Sequence, residues 1–381
     1  MDALLVALGI ALILVGLVDM FLAVLHHDAV SFLTPRLYRW AWVATRTLTG
    51  PLPSKLATVL RALAAPSMVL LTLLVWLGTQ ALGFALVYYP GVKDDGAFVV
   101  EGVRRTFGAA YTYSAATLAS LSLDGVSPRT LAYQALAAAE TLIGLLIITL
   151  TISYILNVYQ VLQSQNALAA ALHNQAEDGS DPRTILAPHF VDGRPQGLST
   201  HLREFHRSLV DEAEGLRRYP IVYYFKSGRA YRSIPYIFHM IGGVVAALRW
   251  GLPTGHDAAG DPWLPSLATG YTDVMREVGH HFVPHMERGD QDPVPFERFR
   301  AALGKGGDAG GDERLAEFIA LDGFMRDIAD VDEKPDPDEA YRRYCEWLPF
   351  ATESAAFISA MAADLGRDIG DLTAEPESGD F

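Results

Sequence analysis

Between Arg61 and Lys93 the chain carries no Asp, Glu, Lys or Arg, and residues 63–89 are almost wholly apolar. About 20 such residues in helical form cross the hydrocarbon core of a bilayer. Helix is the form required, because lipid offers the backbone amides no other partner. Two more runs share this character: residues 3–25, interrupted by Asp19, and residues 131–162, which include Glu140. The first begins Met1-Asp2 and has no Lys or Arg before Arg36. A secretory signal has a basic start and a small-residue cleavage site, so this run reads as a retained transmembrane helix. The third exceeds the hydrocarbon thickness, which predicts a helix that tilts or emerges into water. Tyr88, Tyr89 and Pro90 are expected to mark an interface and a stop.

Charge separates these runs from the rest. Residues 1–163 hold nine Lys/Arg and eight Asp/Glu, whereas residues 164–381 hold 21 and 36, a net charge of −15. A membrane half therefore precedes an acidic, water-soluble half, and nucleic acid is not an expected partner. The single cysteine, Cys345, excludes an internal disulfide and any multi-cysteine zinc site. Residues 27–63 carry Arg36, Arg39, Arg46, Lys55 and Arg61 against Asp28 alone, so this loop is expected on the cytoplasmic side. The N-terminus and residues 90–130 are then outside, and everything after the third span is inside. Tyr38, Trp40 and Trp42 among these arginines suit a helix lying in the interface, the alternative being a plain linker.

Between the second and third spans, residues 105–120 read RTFGAAYTYSAATLAS, which suits a helix too short to cross, and LSLDGVSP follows. Irregular backbone at membrane depth is tolerated only where protein shields it or it lines a wet cavity. A pore loop is one reading, and an external amphipathic loop is the other.

The segment Thr117-Leu118-Ala119-Ser120-Leu121-Ser122-Leu123-Asp124-Gly125-Val126-Ser127-Pro128 aligns without gaps on T-L-T-T-V-G-Y-G-D-x-x-P, and in this it resembles the pore signature of bacterial potassium channels. The helix with Glu140 and Gly144 resembles their inner helix. The stretches DMFLAVLH at 19–26 and RRYPIVYYF at 217–225 resemble a bacterial branch with one extra N-terminal helix and a helical cytoplasmic tail. The resemblance implies a homotetramer conducting monovalent or divalent cations. Its filter path is Thr117, Ser120, Leu121, Ser122, Leu123, Asp124 and Gly125. The departure lies at Ser122 and Asp124, where the family has glycine, and at Leu123, where it has tyrosine. Glycine lets a filter backbone visit left-handed conformations, so ion discrimination is expected to be weak or altered. Shifting the alignment by one residue breaks the spacing to Pro128.

Four copies of Asp124 would form an acidic ring, with Ser120 and Ser122 adding hydroxyls. Asp124-Gly125 is equally a common turn pair. Thr149, Ser153, Asn157, Gln160 and Ser164 recur at helical spacing, forming a polar stripe that lines a pore or hydrogen-bonds to neighbouring helices. Gly144 is a candidate hinge or support. Glu140 is expected behind the filter, bracing the short helix through Thr112, Ser114 or Thr117. Asp19, two turns before His26, is expected to tie the first helix to its neighbours.

In the second half, residues 166–177 are expected to continue the third helix until Asp178-Gly179-Ser180-Asp181-Pro182 breaks it. Ser199 or Thr200 is expected to cap a helix running to about residue 218. Residues 234–250 read as a buried core helix rather than a fourth crossing. Further helices are expected at 264–282, 312–330, 337–349 and 351–366, with a flexible joint at 304–311. His280, His281 and His285 cluster, but Pro284 interrupts their helix, and metal ligation is the lesser reading. No nucleotide loop or catalytic grouping is visible, so neither an enzyme nor a cofactor is expected, and the cytoplasmic ligand is left open.

The expected fold class is an all-α membrane protein: three transmembrane helices plus a re-entrant pore helix, followed by an α-helical cytoplasmic domain. Its parts are 1–29, the first span; 30–62, the interfacial segment; 63–162, the pore domain; 163–197, an extension and linker; 198–365, the helical domain; and 366–381, an acidic tail. The expected location is the inner (plasma) membrane.

Overall fold

The computed structural model describes residues 1–24, 34–94, 96–122, 124–177, 179–284, 286, 291–304 and 310–367. His26, Asp28, Leu123, Asp178, His285, most of the 304–311 joint and the tail from 368 lie outside the described residues. The chain is mostly helical and divides into two compact units. One is Met1–Gln160 with Arg218–Phe225, and the other is Val161–Arg217 with Lys226–Phe381.

The first unit is built from α1 (Asp2–Val24), α2 (Thr34–Thr49), α3 (Ser54–Lys93), β1 (Phe98–Val100), α4 (Phe107–Leu118), β2 (Val126–Pro128) and the first part of α5 (Leu131–Gln175). Three of these helices, α1, α3 and α5, are long and apolar enough to cross a membrane. α3 starts well before residue 63, runs through Pro66, and continues past Pro90 to Lys93. Tyr88 is fully buried within the protein. It sits among Phe84, Phe98, Tyr113 and Tyr133, with ring centroids 5.3–6.2 Å from its own.

Glycines set the crossing of α1 on α3. A Cβ on Gly9 would lie 2.5 Å from the Gly83 carbonyl oxygen, and one on Gly16 would lie 2.6 Å from Gln80 Nε2. Small residues let membrane helices approach at the backbone. Gln80 Nε2 then donates to the Ile13 carbonyl at 3.1 Å. α2 buries Thr34, Tyr38, Trp42 and Thr49, the spacing of one helical face, and leaves Trp40 exposed. The turn of 3-10 helix Pro220–Tyr224 belongs to this unit, with Tyr224 5.3 Å from Trp42.

The second unit contains the remainder of α5, the two-residue ribbon β3 (Phe190–Val191) and β4 (Arg194–Pro195), and α6 (Leu198–Arg218), α7 (Ile234–Trp250), α8 (Leu264–Phe282), α9 (Phe296–Gly304), α10 (Glu313–Ile328) and α11 (Pro337–Asp364). α6 begins at Leu198, so Ser199 and Thr200 lie inside its first turn instead of capping it. α7 is buried on nearly every side and packs against α8, α10 and α11. α11 is one helix rather than two. Pro349 lies inside it, and the buried face Tyr344, Trp347, Ala351, Ser354, Ile358 continues on both sides of the proline. That packing outweighs the one hydrogen bond a proline removes. A buried ion pair, Arg343 Nη2 to Asp322 Oδ1 at 2.6 Å, joins α11 to α10, and Arg343 Nη1 donates to the Trp250 carbonyl.

Candidate functional site

The short helix α4 is the feature that the surrounding residues are arranged to hold. Thr106 caps it, its hydroxyl oxygen accepting from the Ala109 amide at 3.4 Å. Ala110, Tyr113, Ser114 and Leu118 form its buried face, and α4 packs on α3.

Glu140 of α5, fully buried, bridges the three helices. Its Oε2 accepts from the Tyr88 hydroxyl of α3 at 2.8 Å, and its Oε1 lies 2.5 Å from the Ser114 hydroxyl of α4. Ser114 also faces the Ala81 carbonyl at 2.9 Å. Of the three partners expected from sequence, Ser114 is the one that reaches Glu140. Thr112 donates back to Gly108, and the Thr117 carbonyl accepts from Thr141 at 3.3 Å. Tyr88 was not foreseen, because an aromatic at the end of an apolar run looks like an interface residue.

The C-terminal end of α4 rests on Gly144. A Cβ there would lie 1.9 Å from the Leu118 carbonyl oxygen, so no side chain fits without moving one helix. Gly144 is thus a close-packing position for the end of α4. α4 closes with the Leu121 amide donating to the Ala116 carbonyl and the Ser120 amide to the Thr117 carbonyl. This is the Schellman pattern, and it places Ser120 in the left-handed region at φ 59°. Glycine usually fills that position, because a Cβ costs roughly 1 kcal/mol there. Ser120 therefore ends a helix, a role its reading as a filter hydroxyl did not include.

Beyond it, Leu121 and Ser122 are exposed, and Leu123 is outside the described residues. Among the described residues from 120 to 125, the left-handed ones are Ser120 and Gly125. Asp124 is exposed in a turn with Gly125, whose φ is 96°. The chain then returns as β2, antiparallel to β1, pairing Val100 with Val126 and Phe98 with Pro128. The Gly125 carbonyl accepts from the Glu101 amide at 2.8 Å. Arg105 Nη1 donates to the Val92 and Asp94 carbonyls and ties this loop to the end of α3.

On α5, Ile147, Thr151, Tyr154 and Val158 are buried, whereas Thr149, Ser153 and Gln160 are exposed and Asn157 is half-buried. The Thr149 and Ser153 hydroxyls donate to the carbonyls of Leu145 and Thr149, so their lone pairs are what the stripe presents. Asp19, also buried, accepts from Trp76 Nε1 at 3.2 Å and from the Thr34 hydroxyl at 3.3 Å, tying α1 to α3 and α2. Tyr154 and Tyr38 share a 2.7 Å hydrogen bond that links α5 to α2. Trp76 and Tyr154 were not foreseen: nothing in a local pattern reveals a partner on another helix. No group of three or more potential metal-ligating side chains occurs among the described residues.

Comparison with known proteins adds nothing to this geometry: no family model, no curated protein and no solved structure matches the chain.

Proposed function

We propose that this chain is the pore-forming subunit of a homotetrameric cation channel in the inner or plasma membrane. The observation that carries the reading is the held end of α4. A twelve-residue helix lies between two membrane-length helices, its last carbonyls are set against Gly144 and Thr141, and the chain leaving it turns back through Asp124-Gly125. On this reading α4 is the re-entrant pore helix, with its partly negative end favouring a cation. Four copies of residues 117–125 surround the ion path, and the exposed stripe of α5 lines its inner half. The basic segment 27–63 sets the N-terminus outside and the second unit in the cytoplasm. Residues 120–124 present hydroxyls and a carboxylate in place of a glycine-based carbonyl ladder, so the ions are monovalent or divalent cations with weak discrimination.

A second reading has its own observation. Ser120 serves a helix cap, and Ser122 stands where the resembled filter needs glycine. These favour a non-conducting relative whose acidic unit acts as scaffold or sensor. Purified protein in planar bilayers under K⁺, Na⁺ and Ca²⁺ gradients separates the two. Current that Asp124→Asn alters supports the channel. Silence from tetramers of intact mass supports the scaffold.

A further inference from the structure

We propose that the second unit holds a cleft for a small organic cation with an apolar body. The cleft has a volume of about 720 Å³ and lies between the turn at 180–183 and helices α7, α10 and α11. Its floor is apolar, with Ala246, Phe350, Ala355 and Ile358. Gly243 brings the turn against bare helix: a Cβ there would lie 2.1 Å from Pro182 Cγ.

The rim decides the charge of the occupant. Asp181, Glu313 and Glu317 face it together with Arg183 and Arg314. Both guanidiniums are already engaged. Arg183 holds the two Asp181 oxygens through Nε and Nη2 at 2.9 and 2.7 Å and lies over the Phe324 ring. Arg314 Nη1 donates to Glu317 Oε2 at 2.5 Å. His239 Nε2 lies 3.0 Å from the Ser180 carbonyl, so that nitrogen carries the proton and Nδ1 is an acceptor. Burial holds the His239 pKa below its ordinary value, so the ring is neutral near pH 7. Three carboxylates thus face two engaged cations, and the neutral His239 ring lines the cleft beside them without adding charge. An anion meets a net negative rim, and a neutral apolar ligand leaves the surplus carboxylate unanswered. An ammonium group on an apolar body matches both floor and rim.

The turn that lines the cleft follows the end of α5. The Tyr236 hydroxyl donates to the Gly179 carbonyl at 2.9 Å, and His239 to that of Ser180, latching to α7 the turn that follows α5. An occupant gripping Asp181–Arg183 therefore acts on the helix assigned to the pore. That last clause rests on the channel reading, but the binding does not.

Isothermal titration calorimetry on the full detergent-solubilised chain tests it. The probes are tryptamine as the ammonium, tryptophol as the neutral isostere and indole-3-propionate as the anion. Tryptamine is expected to bind at least tenfold more tightly than the other two. The Glu313→Gln/Glu317→Gln double variant, at two exposed positions, weakens tryptamine about tenfold. Ala355→Trp fills the floor and abolishes binding; if it fails to fold, the double variant carries the test. Equal affinity for the three probes, preference for the anion, no heat from tryptamine up to millimolar, or no effect of the double variant overturns the proposal. Silent bilayers with binding intact sink the channel reading alone, and currents without binding sink the cleft alone.

Discussion

Glu140 shows how one side chain can hold three helices. Ser114 has a single hydroxyl hydrogen and faces two acceptors, the Ala81 carbonyl and Glu140 Oε1. A glutamine at 140 can keep each of these contacts. Its amide nitrogen donates to Ser114, Ser114 donates to Ala81, and its oxygen accepts from Tyr88. Glu140→Gln is therefore expected to change stability by less than about 1 kcal/mol. Glu140→Ala leaves the Tyr88 hydroxyl without its partner in a dry interior and costs about 2–4 kcal/mol. Thermal unfolding in detergent, compared for the two variants, reads the difference. A Glu140→Gln midpoint as low as that of Glu140→Ala rules out this account.

Glu212 of α6 is the opposite case. It is buried, its Oε1 has no partner among the described residues, and burial raises its pKa from 4.5 to about 8. In the unfolded chain it ionises near 4.5, but in the folded protein only near 8. Folding therefore takes up a proton between those values, and stability falls as pH rises through that window. The loss is at most a few kcal/mol, at about 1.4 kcal/mol per unit. Glu212→Gln removes this slope. Its advantage over the parent in melting temperature is expected to be small at pH 5 and to grow by pH 8; equal curves at both values contradict it.

At the scale of elements, the fit of α4 against α5 leaves the least room among the described glycines. A methyl group at 144 must displace the last turn of α4, because the atom it meets is a backbone carbonyl and not a flexible side chain. Gly144→Ala is expected to cost about 1–3 kcal/mol through overpacking, to lower the melting midpoint by several degrees, and to abolish any current. Gly78→Ala, on α3 with nothing within 4 Å of its Cβ, is the matched control and should be neutral.

The elements themselves were legible wherever one physical requirement acts along the chain. Lipid demands length and apolarity, and α1, α3 and α5 announce both. What packs against what was less legible. Pro90 and the position of Pro349 read as helix limits, yet helices pass through both. At Pro349 the buried face on both sides holds the helix together. Ser199 and Thr200 read as caps, but α6 starts one residue earlier, after Gly197 at φ 69°. The partners of Asp19 and Glu140 that sequence did not suggest, Trp76 and Tyr88, are 57 and 52 residues away, where a local pattern carries no information about them. The filter-like segment was legible as a departure from glycine. That Ser120 would cap a helix was not, since the cap depends on where α4 stops.

At the scale of the whole molecule, the two units are not consecutive stretches of chain. α5 passes from the first into the second, and Arg218–Phe225, running from the last residue of α6 toward α7, belongs to the first. Sequence reading placed this stretch inside the helical region 198–365, because RRYPIVYYF is too short to show a period. Ile221, Val222 and Tyr223 are fully buried, and Tyr224 nearly so, in a turn that packs on α2 and α3. A fragment of residues 163–367 keeps these side chains and loses the helices that cover them. Each apolar side chain of this kind contributes about 1.5–3 kcal/mol when buried, so four together drive association with any apolar phase. The fragment is expected to bind detergent micelles or liposomes despite its acidic composition. Replacing Ile221, Val222 and Tyr223 with serine should release it into the aqueous fraction with its helix content unchanged. Flotation with liposomes, alongside circular dichroism of both fragments, measures this. A parent fragment that stays monomeric and lipid-free means that residues 218–225 fold back on the second unit when isolated, and that the exchange of chain between the units is dispensable for its solubility.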